Sequence, residues 1–216
     1  MKSILIIGMG KFGHHLCENL IALDNDVMVV DSNEERVSDI IYKVTNVQIG
    51  DCTNPLVVKS LGVSNFDLVF VCIGANFQNS LEITSLVKEM GAKYVISKAN
   101  RDVHAKFLLK NGADEVIYPD RDIAAKVARK FSMNHVFDYI ELDDKHAIYE
   151  IPLKKQWVGK SIQELNFRQT YGITILGIKR GEETTISPAA DYRFREEEHL
   201  IVLGQDEDVD RIVKHM

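Results

Sequence analysis

The residues whose types and spacing could do chemistry stand at the start of the chain: Gly8-x-Gly10-x-x-Gly13, followed 18 positions later by Asp31. Each glycine has a mechanical use. Gly8 permits a tight turn, Gly10 lets an anion approach the backbone, and Gly13 lets the segment that follows pack closely on the one before. If the turn opens a helix, the helix's first N–H groups have no partners of their own and can hold an anion. Asp31 supplies the complementary group, a carboxylate able to accept from both hydroxyls of a ribose. A phosphate cradle and a diol acceptor at this separation read as an adenine nucleotide or dinucleotide site.

The glycine motif alone is weak, so the elements that must position it decide its weight. The apolar run Ser3 to Ile7 is of strand length, the pattern Leu16, Leu20, Leu23 is helical, and Val27 to Asp31 reads as a second strand ending on the acid. The alternation continues: a helix from Asn33 to Tyr42, a strand from Val44 to Gly50, and a short helix to Leu61 with Asn54 as cap and Pro55 at its first position. Asp67 to Gly74 is an almost wholly apolar strand. Helices Ser80 to Met90 and Val103 to Asn111 flank a strand Tyr94 to Lys98, and a sixth strand, Val116 to Tyr118, precedes a long helix over 122–133. Strictly alternating elements with short turns predict an α/β, Rossmann-like doubly wound parallel sheet. After about residue 134 the pattern changes to alternating apolar and polar residues, in Val136 to Leu142 and Ala147 to Leu153, joined by a turn over 143–146. One or two helical turns at Ser161 to Leu165, strands Ile173 to Lys179, Thr184 to Ser187 and Leu200 to Gly204, and a closing helix from Glu207 to His215 complete a small α+β domain. The expected division is 1–134 and 135–216, with the long helix as the connection.

Composition narrows the function classes. The chain of 216 residues carries a formal charge of −6 and no Lys/Arg block, which speaks against nucleic acid and anionic membrane surfaces as partners. Its apolar runs are of strand length, far short of the roughly 20 residues that span a bilayer, so a soluble, cytosolic protein is expected. Cys17, Cys52 and Cys72 have no C-x-x-C spacing and are expected to be reduced, half-buried small hydrophobes.

Together, Gly8-x-Gly10-Lys11-Phe12-Gly13, Gly50-Asp51-x-Thr53, Ile73-Gly74-Ala75-Asn76, Tyr118-Pro119-Asp120 and Tyr171-Gly172-Ile173 resemble the RCK proteins, regulators of potassium conductance, of the KtrA/KtrC/TrkA type. The resemblance runs through both expected domains. It implies a cytosolic gating subunit, peripheral to the inner face of the membrane, that binds adenine nucleotides (ATP or ADP, with NAD(H) as the alternative). It further implies a homodimer assembling into an octameric ring on an integral-membrane potassium-translocating subunit. Carried over by position, Gly8, Met9, Gly10, Phe12, Asp31, Ser32, Asp51, Cys52, Ile73, Gly74, Ala75 and Lys98 line the nucleotide pocket. Lys11 stands where the family usually has an arginine that reaches a terminal phosphate, and Asp120 where it has a glutamate that takes part in binding Mg²⁺ or Ca²⁺. Lysine lacks the bidentate fork of arginine and aspartate is one methylene shorter than glutamate. In the small domain, Arg168, Ile173, Ile175 and Pro188 resemble a cyclic di-AMP segment, with Arg168 pairing a phosphate and the apolar residues packing an adenine.

Competing readings of single residues are plainer. Cys52 has no His–acid pair placed to activate it and reads as a small pocket residue rather than a nucleophile. Lys98, at a strand's carboxyl end, reads as a ligand contact or ion pair rather than a Schiff-base lysine. His14-His15, where related proteins carry small residues, reads as a surface or packing position. Trp157 reads as small-domain packing and Arg195 to Glu198 as a solvated turn. The alternative function is an NAD(P)-dependent oxidoreductase on the same fold. About eighty residues remain after the nucleotide domain, however, and they show no His–Asp or Tyr–Lys arrangement to deliver a proton beside a nicotinamide. The reading is therefore a regulator and not an enzyme.

Overall fold

The computed structural model describes residues 1–132, 138–143 and 145–214. The chain divides into two compact units, Met1–Ile123 and Ala124–Met216. The expected boundary at 134/135 lies outside the described residues, as do residue 133 of the expected long helix, residues 136–137 of the expected strand, residue 144 of the turn and residue 215 of the closing helix.

In the first unit, strands β1 (Ser3–Ile7), β2 (Asp26–Asp31), β3 (Asn46–Ile49), β4 (Leu68–Val71), β5 (Val95–Lys98) and β6 (Glu115–Ile117) form a parallel sheet in the order β3-β2-β1-β4-β5-β6. Helices α1 (Lys11–Ala22), α2 (Pro55–Leu61), α3 (Phe77–Glu89) and α4 (Asp102–Lys110) connect the strands. Strand β1 shows why its sequence is continuously apolar: Leu5 and Ile7 pack with Val58, Val69 and Ile83 on one face, and Ile4 and Ile6 with Cys17, Val27 and Val29 on the other. A strand covered on both faces has no solvent side on which to carry polar residues. The sheet's order turns at β1, which lies between β2 and β4, and that is where a parallel sheet opens a crevice at its carboxyl ends.

Most expected elements appear within a few residues. Helix α2 begins at Pro55, with the Asn54 side chain accepting from the Leu56 N–H, and ends at Gly62 in the left-handed region. Helix α3 starts three residues earlier than expected because the Asn76 side chain caps it. One expectation fails. The helix over 33–42 is replaced by a single 3₁₀ turn, Glu34–Arg36, and further tight turns closed by Ile40 N–H to Val37 O (3.2 Å) and Lys43 N–H to Ile40 O (2.8 Å). Val37, Ile40 and Ile41 are β-branched, Ser38 and Asp39 favour turns, and Asn33 bonds locally to the Glu35 N–H. Burying Val37 and Ile40 takes only a turn.

Helix α5 (Pro119–Ser132) spans the division between the units and begins at a proline, suited to a first helical position. Beyond it, β7 (Asp138–Glu141), β8 (His146–Pro152), β9 (Thr174–Arg180), β10 (Glu183–Ile186) and β11 (His199–Gln205) form an antiparallel sheet in the order β10-β9-β11-β8-β7. Helices α6 (Ile162–Leu165), α7 (Phe167–Tyr171) and α8 (Asp206–Val213) complete the described residues of this unit. Alternate residues of β8 (Ala147, Tyr149, Ile151) and β11 (Leu200, Val202) are buried with Trp157, Phe167 and Val209, so Trp157 packs as expected. The five-residue α7 was not expected from the sequence; it is set between two left-handed residues, Asn166 and Gly172.

The turn at Arg195 to Glu198 is not simply solvated. Glu198 is 2% exposed, accepting from the Tyr192 hydroxyl (2.6 Å) and the Arg195 N–H (2.9 Å). Glu198→Ala leaves both donors without their acceptor and is expected to cost about 1–3 kcal/mol. Equilibrium urea unfolding measures this, and a midpoint unchanged from wild type would refute it.

Candidate functional site

Gly8 leaves β1 at φ +99°, a conformation side chains rarely allow, and its N–H bonds to Val30 O at 2.8 Å. A methyl group added to Gly13 would lie 2.1 Å from the Gly8 carbonyl oxygen, so turn and helix meet at a distance that only glycine permits. Gly10 caps α1 without a side-chain bond, and His14 N–H to Gly10 O (2.9 Å) is the helix's first closure. The N–H groups of Lys11, Phe12 and Gly13 precede that closure, at the positive end of the helix dipole.

Asp31 ends β2 and is 5% exposed. Its Oδ2 accepts from the Met9 N–H at 2.7 Å and lies 3.6 Å from the Arg36 guanidinium, and its Oδ1 accepts from the Asn33 N–H at 2.9 Å. The carboxylate expected to accept from both hydroxyls of a ribose is oriented by backbone donors, which tie the glycine turn to the end of β2, and its remaining lone pairs are what it offers a ligand.

The strand ends surround a cavity of about 960 Å³, at the upper end of the range for small-molecule sites. The cavity lining includes all thirteen expected residues: Gly8, Met9, Gly10, Lys11, Phe12, Asp31, Ser32, Asp51, Cys52, Ile73, Gly74, Ala75 and Lys98. Lys98 Nζ stands 5.4 Å from the centre of the Phe12 ring. Asp51 Oδ1 accepts from the Thr53 N–H and hydroxyl, in that order the causes that hold its pKa below the ordinary value. Burial, reinforced by Asp51 and Asp31, pushes the Cys52 thiol up to about 12, so this thiol is a wall and not a nucleophile.

Other lining residues escaped the sequence reading. Glu35, Arg36 and Asp39 reach the cavity from the segment expected to be helical, and His14 and His15, read from the sequence as surface or packing positions, line it as well. Asn100 donates to Gly74 O at 2.6 Å and sits 3.1 Å from Nδ1 of the buried His104, whose Nε2 is 3.2 Å from Ser80 Oγ. Burial, with Arg101 as the lesser cause, lowers the His104 pKa. The neutral ring can donate to Asn100 and accept from Ser80, which holds the Gly74 wall in place.

Other expected residues are not brought together. Asp120 is exposed in the first turn of α5 and does not line the cavity, and among the described residues no three His, Cys, Asp or Glu side chains are grouped to hold a metal ion. In the small unit the Ile173 side chain is fully buried in the core beneath Gly204. This corrects the expectation that it offers apolar surface to a ligand: Ile173 precedes β9 and is buried in the core cluster with Phe167, Val202 and Val209. Ile175 and Pro188 are partly exposed, and Arg168 Nε donates to Thr174 Oγ1 at 3.1 Å.

Residues 4–119 match the family model of the TrkA-N domain and residues 146–216 that of the TrkA-C domain. The chain belongs to the RCK family of the TrkA and Ktr type. It is 38% identical to Ktr system potassium uptake protein C of Bacillus subtilis, over 100% of this chain and 97% of that protein. It is also 38% identical to protein A of the same system, over 97% and 95%. The fold is similar to that of a GsuK channel solved with NAD bound, with a TM-score of 0.60, 19% identity and coverage of 96% of this chain but only 38% of that one. No helix among the described residues is long and apolar enough to cross a membrane.

Burial also raises the pKa of Cys17 to about 11 and of Cys72 to about 12. Thiolate is the reactive form, and at pH 8 a thiol of pKa 11 is roughly one-thousandth ionised. Maleimide is therefore expected to leave the folded protein essentially unlabelled over the minutes in which it modifies all three thiols in denaturant. Labelling at the same rate in both states would contradict this.

Proposed function

We propose that the protein is a cytosolic regulatory subunit of a potassium uptake system and gates an integral-membrane potassium-translocating partner by binding an adenine nucleotide. One observation carries the reading: the glycine turn, the Asp31 acceptor and the cation Lys11 open on one cavity, in a chain that shares 38% identity with Ktr potassium uptake proteins over 97–100% of its length. ATP and ADP are the proposed ligands, with NAD(H) as the alternative. The pyrophosphate would rest on the N–H groups of Lys11 to Gly13, the ribose on Asp31, and the terminal phosphates near Lys11. Cavity residues in this reading bind and do not transform, in keeping with relatives named as uptake proteins.

The mechanism is a population shift. Nucleotides with different affinity for two arrangements of the assembly move the balance between them and nothing else. The assembly itself, a homodimer built into an octameric ring, belongs to the proposal on the strength of the family. So does cyclic di-AMP as a ligand of the small domain, with the exposed Arg168 available to a phosphate. Because Asp31 both closes the turn and meets the ribose, Asp31→Ala is expected to weaken ATP and ADP alike by at least about tenfold, roughly 1.4 kcal/mol. ATP and ADP should also compete for one site per chain. Calorimetry on the full-length protein tests both points, and an Asp31→Ala variant with wild-type affinity would overturn the site.

A further inference from the structure

The charges around the cavity do not suit the ligand it is proposed to hold. Three fixed cations, Lys11, Arg36 and Lys98, face four carboxylates, Asp31, Glu35, Asp39 and Asp51, a formal charge of −1 with the histidines neutral. A polyphosphate carries several negative charges of its own. The lining also carries two imidazoles, His14 and His15, side chains that can gain a charge by taking up a proton.

The two are not equivalent. His14 lies one helical turn beyond Gly10, on the same face of α1, and its side chain is 24% exposed. Its Nε2 is 2.8 Å from Asp39 Oδ2 and its Nδ1 3.8 Å from Glu18 Oε2. His15 is 80% exposed, and its nearest carboxylate is Glu18 at 3.9 Å. His14 is thus held at the rim by a carboxylate on each side, next to the turn that receives the phosphates. The other charged groups here are Lys11 on its own helix, Lys43 (3.5 Å from Glu18), and Arg36, which leans towards Asp31.

We propose that His14 is a proton-linked specificity residue of this site: it takes up a proton as nucleotide binds and adds a positive charge to a lining in which carboxylates outnumber fixed cations. Resting on the nucleotide reading above, this assigns the cavity a preference for polyphosphates that strengthens as pH falls. Asp39 stands within hydrogen-bond distance of the ring and Glu18 lies 3.8 Å from it, and an arriving phosphate would add an anion that draws a proton to it. The bound state therefore holds more protons than the free state, and affinity must rise towards acid.

The test is calorimetric binding of ATP to the full-length protein at pH 6, 7 and 8, in wild type, His14→Asn, His14→Gln and His15→Asn. Titration of the ATP phosphates is common to all four proteins and cancels in the comparison. Uptake of one proton steepens affinity by up to about tenfold per pH unit, so wild type is expected to lose about tenfold more affinity than either His14 variant between pH 6 and 8. His15→Asn should follow wild type. Parallel profiles for wild type and both His14 variants, or a profile flattened only by His15→Asn, would overturn the assignment of His14 while leaving the nucleotide site standing. A wild type that binds neither ATP, ADP nor NAD would overturn both. Thermal unfolding without ligand identifies a variant that has lost its fold, and His14→Gln, which keeps a polar group against Asp39, then decides.

Discussion

The structure depends on one close approach. An atom attached to Gly13 would sit 2.1 Å from the Gly8 carbonyl oxygen, well inside any tolerable contact, so the first helix can pack on the end of the first strand only because that atom is missing. The helix that this approach seats opens with Lys11 and Phe12, both in the cavity lining. The Asp31 carboxylate locks the arrangement from the other side by accepting the Met9 N–H at 2.7 Å. The N–H groups that open α1 and the Asp31 carboxylate are therefore tied together through the end of β1, the turn into α1 and the end of β2, and a ligand that uses both finds them already oriented.

Regulation places different demands on such a site from catalysis. The polar groups around the cavity are mostly engaged with one another: Asp31 with backbone donors, Asp51 with Thr53, Asn100 with Gly74 and His104. The cysteine that faces the cavity beside Asp51 is held neutral by burial. A wall of this kind can tell ligands apart by shape and charge. A ligand shifts a two-state equilibrium only through the difference in its affinity for the two states, so the charges in the lining, Lys11, Arg36, His14 and Asp39 among them, matter as much as the depth of binding.

What could be read from the sequence follows from what each signal reports. Apolar runs and glycine spacing report strands buried on both faces and backbone approach, so the sheet and the turn emerge from Ser3 to Ile7 and Gly8 to Gly13, whereas most of the thirteen cavity residues are expected only from the family resemblance. The helix start signals at Asn33, Glu34 and Glu35 mislead at 33–42 because β-branched Val37 and Ile40 and turn-forming neighbours favour successive tight turns. Arg36 and Asp39 reach the cavity through that irregular path, which no periodic pattern encodes. Glu198 reads as one charge in an acidic run, and only the fold shows that Tyr192 and the Arg195 N–H enclose it. His104 is silent for the same reason: its partners Ser80 and Asn100 come from different segments, joined only when α3 and α4 pack together.

The most direct test of the central claim is hydrogen exchange at single-residue resolution across the first turn of α1, with and without ATP. The N–H groups of Lys11, Phe12 and Gly13 precede the first helical hydrogen bond and should exchange quickly in the free protein. Saturating ATP should slow these three by an order of magnitude or more, along with the Asn33 N–H beside Asp31. Protection confined to other segments, with Lys11 to Gly13 exchanging as fast as before, would contradict the claim that the phosphates rest on this turn.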